Sequence, residues 1–525
     1  MNTTLNSRKI IPIKKLFPVF LLAYALFQIV TLTDYPFIHS DEPWLSGLTR
    51  TMMHEGDLSA TEYFFDSWER YPHALKTLFH LLQMPFLGLF GYSAFSVRLL
   101  SVLFSLLTLT VFYKIALLVL KDEKISLAFI LALSFDNQFL YASRLARQEI
   151  IILFVLALSF YIFIKNIDNT KIIFDLLLAS TIGLAIGIHP NSFIVAAAIG
   201  LCYVYSIFLK KKKGTNLLIY LFALAGVAAF YVFLSFQMDP DFLVHFFDRG
   251  AQFNVDRSVF EKLTAFGPFI GNIFTQNSLT YYMPNIRIQL VGFALVLILS
   301  FFYFIKVSIL QHAFVQKNSA LFPYLFLSIL GILFGIISIG RYNVTSIVFF
   351  FPFCYLLLFF FIGQLHADRL ASLIIVFLVA IHTLLVSDIY PNDYRHYLQD
   401  LSNYVEKDSK VLSNLNTEFY FDYDRLIDYR NLSHIEDRSL EDYLLREGIE
   451  RIVYYEELDE IYTSSPSYDG VYGSMDETLP QLKAFLSEHG REIGQFTAPV
   501  YGTNISSKIG QKKWKITVYA VTAWP

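Results

Sequence analysis

Cysteine and charge are both scarce in this chain. Of its 525 residues, two are cysteine and 16% are charged. Cys202 and Cys354 each lie inside an apolar run, so the sequence predicts neither a disulfide nor a cysteine zinc site. The net charge of −3 carries no sign of a nucleic-acid partner, and we expect none. Disulfide-stapled, zinc-ribbon and nucleic-acid-binding classes are therefore disfavoured from the start.

Long hydrophobic runs are what the chain has instead. Hydrophobic residues make up 55% of it, with 53 Phe and 33 Tyr, which is the composition of a membrane protein. A helix needs about 20 mostly apolar residues to cross the hydrocarbon core. The sequence therefore predicts an α-helical integral membrane protein with about eleven transmembrane helices, at 16–33, 96–120, 125–142, 149–165, 171–188, 192–209, 215–236, 288–306, 320–339, 344–363 and 369–387.

The connecting segments alternate in charge along the chain. Short basic segments such as 121–124 and 210–213 are predicted to be cytoplasmic, because cytoplasmic loops are rich in Lys and Arg. The long segments 34–95 and 237–287 are predicted to lie outside. We therefore expect a multi-pass protein of the plasma membrane with a cytoplasmic N-terminus. Residues 74–90 are amphipathic and are expected to lie along the outer interface as helices of the first outer loop.

The composition changes to that of a soluble protein near residue 388. Strands are predicted at 410–412, 451–455 and 513–521, and helices at 440–447 and 479–489. We expect a membrane domain over 1–387 followed by a small extracytoplasmic α/β domain over 388–525.

Acidic residues gather in the predicted first outer loop. Asp41 and Glu42 are adjacent, and such a pair can bind a divalent cation through oxygen. One of them could instead accept a proton from a hydroxyl group. A solvated interfacial acid pair is the plain alternative. Glu69 and Arg70 return to the same predicted side, so carboxylates and a cation can converge there.

Further charges lie at other predicted outer turns. Arg144, Arg147 and Glu149 stand at the mouth between two spans, where charges need partners or water. Guanidinium groups match phosphate oxygens, so the two arginines suit a phosphate. His189 and Arg341 occupy two more outer turns. A histidine there can bind a metal or a phosphate, and the arginine suits a lipid phosphate. Interfacial anchors and an ordinary turn histidine are the alternatives.

Four segments together resemble a known superfamily. They are Asp41-Glu42, the run from Trp68 to Pro72 with the later 89–99, the run from Phe139 to Glu149, and Arg341-Tyr342 followed by Pro352. Their order and predicted sidedness are similar to those of the GT-C membrane glycosyltransferases. The closest resemblance is to the protein O-mannosyltransferase, aminoarabinose transferase and RgtA/B/C/D-like group, and it covers about residues 1–365.

The resemblance implies roles for these residues. Asp41 would be the general base, with Glu42 in support. Arg70 would contact the donor phosphate, and Glu69 would hold a divalent metal ion. Glu149 stands where the family usually has Asp, which places it as a second metal candidate. Family members use polyprenyl-phosphate sugars as donors.

The sequence as a whole predicts an inverting glycosyltransferase at the outer membrane face. It would move a sugar from a polyprenyl-phosphate donor to a hydroxyl of a glycan, lipid or protein, with Asp41 as base. Arg70, Arg144, Arg147, His189 and Arg341 would bind the phosphate, stabilising its developing charge. The alternative is a multi-pass lipid or solute transporter or flippase, in which ionisable groups gather near the midplane. Asp175, close to the predicted cytoplasmic side, is the residue that speaks for it.

Overall fold

The computed structural model describes residues 13–253, 255–275, 285–308, 320–386, 394–435, 439–459, 478–498 and 514–522. The helices of the N-terminal part are α1 (Ile13–Val30), α2 (Asp41–Glu55), α3 (Thr77–Phe90), α4 (Ala94–Leu120), α5 (Glu123–Phe135), α6 (Asn137–Ala142), α7 (Glu149–Lys165), α8 (Ile172–Leu184), α9 (Ser192–Phe208), α10 (Gly214–Met238), α11 (Phe242–Gln252), α12 (Val259–Thr275), α13 (Arg287–Ser308), α14 (Phe322–Ile339), α15 (Phe351–Ile362) and α16 (Asp368–Val386). Short 3₁₀ turns span Ala74–Lys76, Ala185–Gly187 and Val344–Phe349.

Apolar helices long enough to cross a membrane are present, as the composition predicts. Within the described residues there are six: α4, α10, α13, α14, α16, and α15 together with the 3₁₀ turn before it. Shorter apolar helices lie at Lys15–Val30, Ala74–Phe90, Ile172–Gly187 and Ser192–Phe208. The prediction of a helical membrane protein is confirmed at this level. Eleven spans, the interfacial position of 74–90 and the orientation of the chain stay predictions.

Local capping explains where the helices near the site begin and end. Ser93 starts α4 with a reciprocal capping box to Ser96. Asp122 starts α5 by accepting hydrogen bonds from two backbone N–H groups of its first turn. Asp136 then interrupts the predicted span 125–142. Its backbone is extended, and its carboxylate accepts the Phe139 N–H at 2.9 Å, so a new short helix, α6, begins there.

Close helix packing in the bundle depends on small residues. The helices α9 and α14 cross where Gly331 and Gly335 lie. A Cβ atom at Gly331 would stand 2.4 Å from Ala198 Cα, which is shorter than any ordinary contact. Glycine therefore lets the two backbones approach, as is common between helices in lipid.

The C-terminal part is a small α/β unit. Its helices are α17 (Tyr394–Ser402), α18 (Leu440–Arg446) and α19 (Thr478–His489), and its strands are β1 (Val411–Ser413), β2 (Leu426–Asp428), β3 (Arg451–Tyr455), β4 (Gly490–Ala498) and β5 (Trp514–Val521). The sheet order is β2-β1-β3-β5-β4. Strand β1 is parallel to β2 and β3, whereas β5 is antiparallel to β3 and β4.

The predicted small C-terminal α/β fold is confirmed, and its position outside the membrane stays a prediction. The strands β2 and β4 were not predicted: β2 has three residues, and β4 is largely exposed. The domain boundary near 387 stays a prediction too, because residues 387–393 lie outside the described residues.

The C-terminal unit packs directly on the segment between α1 and α4. Phe37, Phe64, Phe65, Tyr141 and Leu145 share one apolar core with residues of the sheet and its helices. The first loop is thus enclosed between the helical bundle and the C-terminal unit. Its acidic and basic residues are held at that junction.

Candidate functional site

Glu42 lies in a closed ion pair with Arg98. Both side chains have no exposed surface, and two hydrogen bonds of 2.7 Å join them in a bidentate pair. The Glu42 carboxylate also accepts the N–H groups of His39 and Ala146, at 3.1 and 2.9 Å. Arg98 in turn donates to three backbone carbonyls, those of Leu32, Pro36 and Phe37. The pair therefore ties α2, α4 and the first loop together.

Asp41, one residue earlier, has a different setting. Its side chain is 27% exposed, and it pairs with Arg147. Arg147 is shared, because it also donates to Glu149, with Nη2 2.8 Å from Oε1. Thr345 adds a hydrogen bond of 2.8 Å to the same Glu149 oxygen. Asp41, Arg147 and Glu149 therefore form one group of paired charges. Of these three side chains, that of Asp41 is the most exposed to solvent.

Arg144 hydrogen-bonds to residues at the end of α1 and just after it. Its Nε donates to Gln28, its Nη1 to the carbonyls of Thr31 and Tyr35 at 2.9 Å each, and its Nη2 to the Thr31 hydroxyl. Its side chain is 1% exposed. Each guanidinium nitrogen of Arg144 donates to one of these partners. Phosphate binding by Arg144 stays a prediction, and the proposed site does not include it.

Arg70 is paired with an acid that the sequence analysis did not single out. Its Nε and Nη2 lie 3.1 and 3.2 Å from the two Glu62 carboxylate oxygens. The Trp44 indole N–H donates to Glu62 at 2.6 Å. Burial alone would raise the pKa of Glu62, but the Arg70 charge and the hydrogen bonds from Arg70 and Trp44 together outweigh burial and lower the pKa to about 2. Glu62 therefore stays ionised and joins the loop to α2.

Three cations and one histidine lie beside these pairs, and we call them the cation cluster: Lys76, Arg249 and Arg341 with His189. Burial lowers the pKa of Lys76 to about 8, and Arg341 adds to the shift. Burial, with Arg70 and Arg341, likewise lowers the pKa of Arg249 to about 10. Lys76 makes no ion pair or hydrogen bond within the part of the chain that the structure describes. Positive charges that repel one another at a half-buried site favour an anionic ligand.

His189 belongs to this cluster as a neutral donor. Burial, followed by the charges of Lys76 and Arg341, lowers its pKa well below the ordinary value. Its Nδ1 accepts the Asn191 N–H at 3.0 Å, so the proton of the neutral ring is on Nε2. Arg341 is exposed, and its guanidinium carbon lies 3.9 Å from the centre of the Phe253 ring.

An apolar groove of about 580 Å³ leads up to the cation cluster. It runs between α8, α9, α10 and α11, and its walls include Leu75, Pro190, Ala228, Phe246 and Phe247. Leu75 precedes Lys76 and Pro190 follows His189, so the groove and the cluster share the same two turns. A long apolar chain fits such a groove, with its polar end at the cations.

Glu69 does not join the other acids. It is exposed and bonds to the Tyr71 hydroxyl, which helps to raise the pKa of Tyr71 to about 12. Glu149 is occupied by Arg147 and Thr345, as described above. No group of three or more His, Cys, Asp or Glu able to hold a metal is found among the described residues. The described residues thus offer no three-ligand metal site, and metal binding by Glu69 and Glu149 stays a prediction.

Asp175 is also accounted for by protein partners. It is fully buried, and it accepts a hydrogen bond of 2.6 Å from Tyr203. Lys212 lies 3.3 Å away, and Asn216 donates to the second carboxylate oxygen. An ionisable group inside a bundle suggests function by default, but this one is closed by a lysine and two polar groups.

The family comparison agrees with the resemblance seen in the sequence. Residues 76–247 match the model of the dolichyl-phosphate-mannose-protein mannosyltransferase family. That segment begins at Lys76 and contains Arg147, Glu149, His189 and the first six residues of the groove-lining helix α11. The resemblance to this group of GT-C glycosyltransferases is confirmed.

Two solved structures with detectable likeness are those of ArnT from Cupriavidus metallidurans, one bound to undecaprenyl phosphate and one in the apo state. Sequence identity is 13% and 14%, and the TM-scores are 0.46 and 0.47. The alignments cover 95% and 97% of this chain and 98% of each ArnT chain. No curated protein matches the chain significantly.

The sequence analysis missed Glu62, Lys76 and Arg98 as members of the site. Lys76 lies in the amphipathic segment 74–90, and a lone lysine there looks like an interfacial anchor. Arg98 was part of a matching segment but had no assigned partner. Glu62 lies in the acidic loop, eight residues before Arg70, and that spacing was the available signal.

Proposed function

We propose that this chain is a membrane glycosyltransferase that moves a sugar from a polyprenyl-phosphate donor to a hydroxyl acceptor at the outer membrane face. The observation that carries the proposal is one arrangement. Leu75 and Pro190 of the apolar groove adjoin Lys76 and His189 of the cation cluster, and Arg147, the partner of the partly exposed Asp41, is close enough to His189 to help lower its pKa. The match to the mannosyltransferase family supports the same chemistry. The acceptor class, whether glycan, lipid or protein, stays open.

The donor would bind with its prenyl tail in the groove. Its phosphate would meet Lys76, the Nε2–H of His189, Arg249 and Arg341. Charge-assisted hydrogen bonds to phosphate are about twice as strong as neutral ones. Arg70 is tied to Glu62, and it adds positive potential near the phosphate. As the sugar leaves, the phosphate gains a second negative charge, and this fixed positive field stabilises it.

The transfer itself would be a single displacement with inversion. The acceptor oxygen forms a bond to the anomeric carbon while the bond from that carbon to the phosphate oxygen breaks. Asp41 takes the acceptor proton, and the polyprenyl phosphate leaves with the electron pair of the broken bond. Arg147 holds the Asp41 carboxylate in place, and its charge is shared with Glu149. Glu42, closed on Arg98, would fix the start of α2 from which Asp41 projects.

Blocking the groove tests the proposal directly. Ala228 lines the groove, whereas the next residue, Ala229, does not line it and is exposed. We expect Ala228→Trp to abolish binding of a labelled polyprenyl phosphate to the purified protein, with Ala229→Trp binding like the wild type. In cells that lack the chain, mass analysis of envelope glycans and glycoproteins should show the loss of one sugar. Wild type and Ala229→Trp should restore it, and Ala228→Trp should not.

The same preparation separates the transferase from the transporter alternative. A transferase releases free polyprenyl phosphate from a polyprenyl-phosphate sugar when acceptor is supplied as envelope extract. A flippase moves the intact donor between leaflets of a vesicle and releases none. Equal binding by both tryptophan variants, or intact donor after prolonged incubation with extract, would rule out the proposed function.

A further inference from the structure

We infer that Asn431 of the C-terminal unit is a positioning residue that holds the loop 62–70 in its active arrangement. This inference rests on the proposed function, because it concerns the residues around the donor phosphate. Asn431 lies just after β2, at the carboxyl end of a parallel strand, and is fully buried. The end of β2 would thus serve to hold the loop 62–70 in place.

Asn431 hydrogen-bonds to the loop with both ends of its side-chain amide. Its Nδ2 donates to the Phe64 carbonyl at 2.8 Å. Its Oδ1 accepts the N–H groups of Ser67 and Trp68, each at 3.2 Å. One side chain therefore satisfies three backbone groups of a loop that passes through a protein interior, where unpaired backbone groups are costly.

Other contacts from the same unit hold the same loop. The Asp428 N–H donates to the Phe64 carbonyl at 3.2 Å, which extends the end of β2 toward the loop. The Tyr443 hydroxyl donates to Asp66 at 2.7 Å. The Arg430 guanidinium lies 5.8 Å from the ring centre of Phe65 in the loop and 4.8 Å from that of Trp44 in α2.

The loop depends on these contacts for its shape. Between Gly56 and His73, a stretch described throughout, the chain forms no helix or strand. The two ends of the held segment meet each other through the Glu62–Arg70 pair, and Trp44 joins that pair to α2. Trp44 lies three residues after Asp41 on the same helix. A shift of the loop would therefore move both Arg70 and the helix that carries Asp41.

A positioning role differs from a purely structural one in its kinetic signature. Misplacement of reacting groups by about 1 Å can cost about 100-fold in rate without loss of the fold. The donor should still bind, because the groove, Lys76, His189 and Arg341 come from other elements. Arg249 comes from α11 but also stacks on Trp68 of the loop, 5.0 Å from the ring centre. A purely structural role would lower the unfolding temperature and leave the rate per folded molecule unchanged.

The experiment measures transfer and donor binding by full-length protein carrying Asn431→Asp. This variant keeps an acceptor for Ser67 and Trp68, but it places a carboxylate oxygen against the Phe64 carbonyl. The matched control is Asn403→Asp, which makes the same change at an exposed position of the same unit. We expect Asn431→Asp to lower the turnover number about 10- to 100-fold with a donor Kd changed less than about threefold. Asn403→Asp should behave like the wild type.

A double-mutant cycle with Arg70→Lys tests the route of the effect. If Asn431 acts through the loop, the double variant should be no more than about threefold slower than the slower single variant, because coupled residues are not additive. Additive losses, or a wild-type turnover number in Asn431→Asp, would overturn the inference. A wild type that binds donor but transfers no sugar would instead refute the proposed function.

Tyr443→Phe provides a second and milder variant in case Asn431→Asp yields no folded protein. It removes the hydroxyl that donates to Asp66 and leaves the hydrogen bonds of the Asn431 side chain to the loop in place. We expect about a three- to tenfold lower turnover number, again not additive with Arg70→Lys. A wild-type turnover number in this variant would contradict the role assigned to the C-terminal unit.

Discussion

Asp41 and Glu42 are neighbours with the same charge, and the structure gives them opposite surroundings. Glu42 has no exposed surface, and its oxygens are filled by Arg98 and two backbone N–H groups. Asp41 keeps about a quarter of its side chain exposed and shares one arginine with Glu149. A carboxylate with filled oxygens can hold a fold, whereas a partly open one can accept a substrate proton.

The same division runs through the basic residues. Arg98 is paired with Glu42 and backbone carbonyls, and Arg144 donates to an amide oxygen, two carbonyls and a hydroxyl. Both guanidinium groups are therefore occupied by partners within the fold. The Lys76 side chain has no such partner in the described chain, and Lys76 directly follows Leu75, which lines the apolar groove. Asp41 and Lys76 are therefore the candidate ligand-binding residues, whereas Glu42, Arg98 and Arg144 belong to the framework of the fold.

The largest expected effect comes from breaking the closed pair. Glu42→Gln leaves the Arg98 charge buried without a counter-charge, and such a change typically costs about 3–5 kcal/mol. We expect a large fall in the yield of folded protein and in its unfolding temperature in detergent. Glu406→Gln, at an exposed position, is the control and should unfold like the wild type. If Glu42→Gln unfolds at the same temperature as the wild type, Glu42 does not have the structural role that distinguishes it from Asp41.

Asp41→Asn should give the reverse signature. Loss of a general base typically lowers the rate about 10²- to 10⁴-fold. The asparagine still accepts a hydrogen bond from Arg147 and remains partly exposed, so the unfolding temperature should stay close to that of the wild type. The transfer rate and thermal unfolding are measured on the same preparation. A full transfer rate would remove Asp41 from the chemistry, and unfolding as severe as that of Glu42→Gln would make it part of the framework.

Lys76→Met tests the comparison between Lys76 and the paired arginines. A hydrogen bond to a charged group contributes about 1.5–3 kcal/mol, so the donor should bind about 10- to 100-fold more weakly. The apolar stem is kept, and the fold should be unaffected. Binding of labelled polyprenyl phosphate is the measurement, and an unlabelled prenyl alcohol without phosphate is the competitor control. Unchanged affinity would show that the phosphate is held elsewhere.

Lys76 should also make donor binding depend on pH. Its pKa is lowered to about 8, so the ammonium form that attracts phosphate is present below that pH and is lost above it. Affinity should therefore fall as pH rises through 8, by up to about tenfold per pH unit. Glu62, with a pKa of about 2, and Arg249, with one of about 10, do not titrate between pH 7 and 9. In Lys76→Arg this fall should vanish, and a slope that persists would assign it to another group.

Much of this arrangement follows from the sequence, and the rest does not for a physical reason. Apolar runs long enough for membrane helices, the short apolar strand at 451–455 and the alternating strand predicted at 513–521 are local patterns, so they are visible in one chain. The division between Asp41 and Glu42 is not local, because it depends on Arg98 and Arg147 arriving from 56 and 106 residues away. Lys76 was overlooked for the same reason: its lack of a partner is a property of the packed structure.

The smallest effect is expected at Glu69, which the resemblance placed among the metal candidates. The side chain is exposed and bonds to Tyr71, outside the Asp41–Arg147–Glu149 group. We therefore expect Glu69→Gln to change transfer by less than about twofold, because exposed substitutions away from packed features have small effects. The assay is run with added Mg²⁺ or Mn²⁺ and with a chelator. A loss of tenfold or more that added metal partly restores would bring Glu69 back as a ligand, and the open acids would then form a larger group than Asp41 alone.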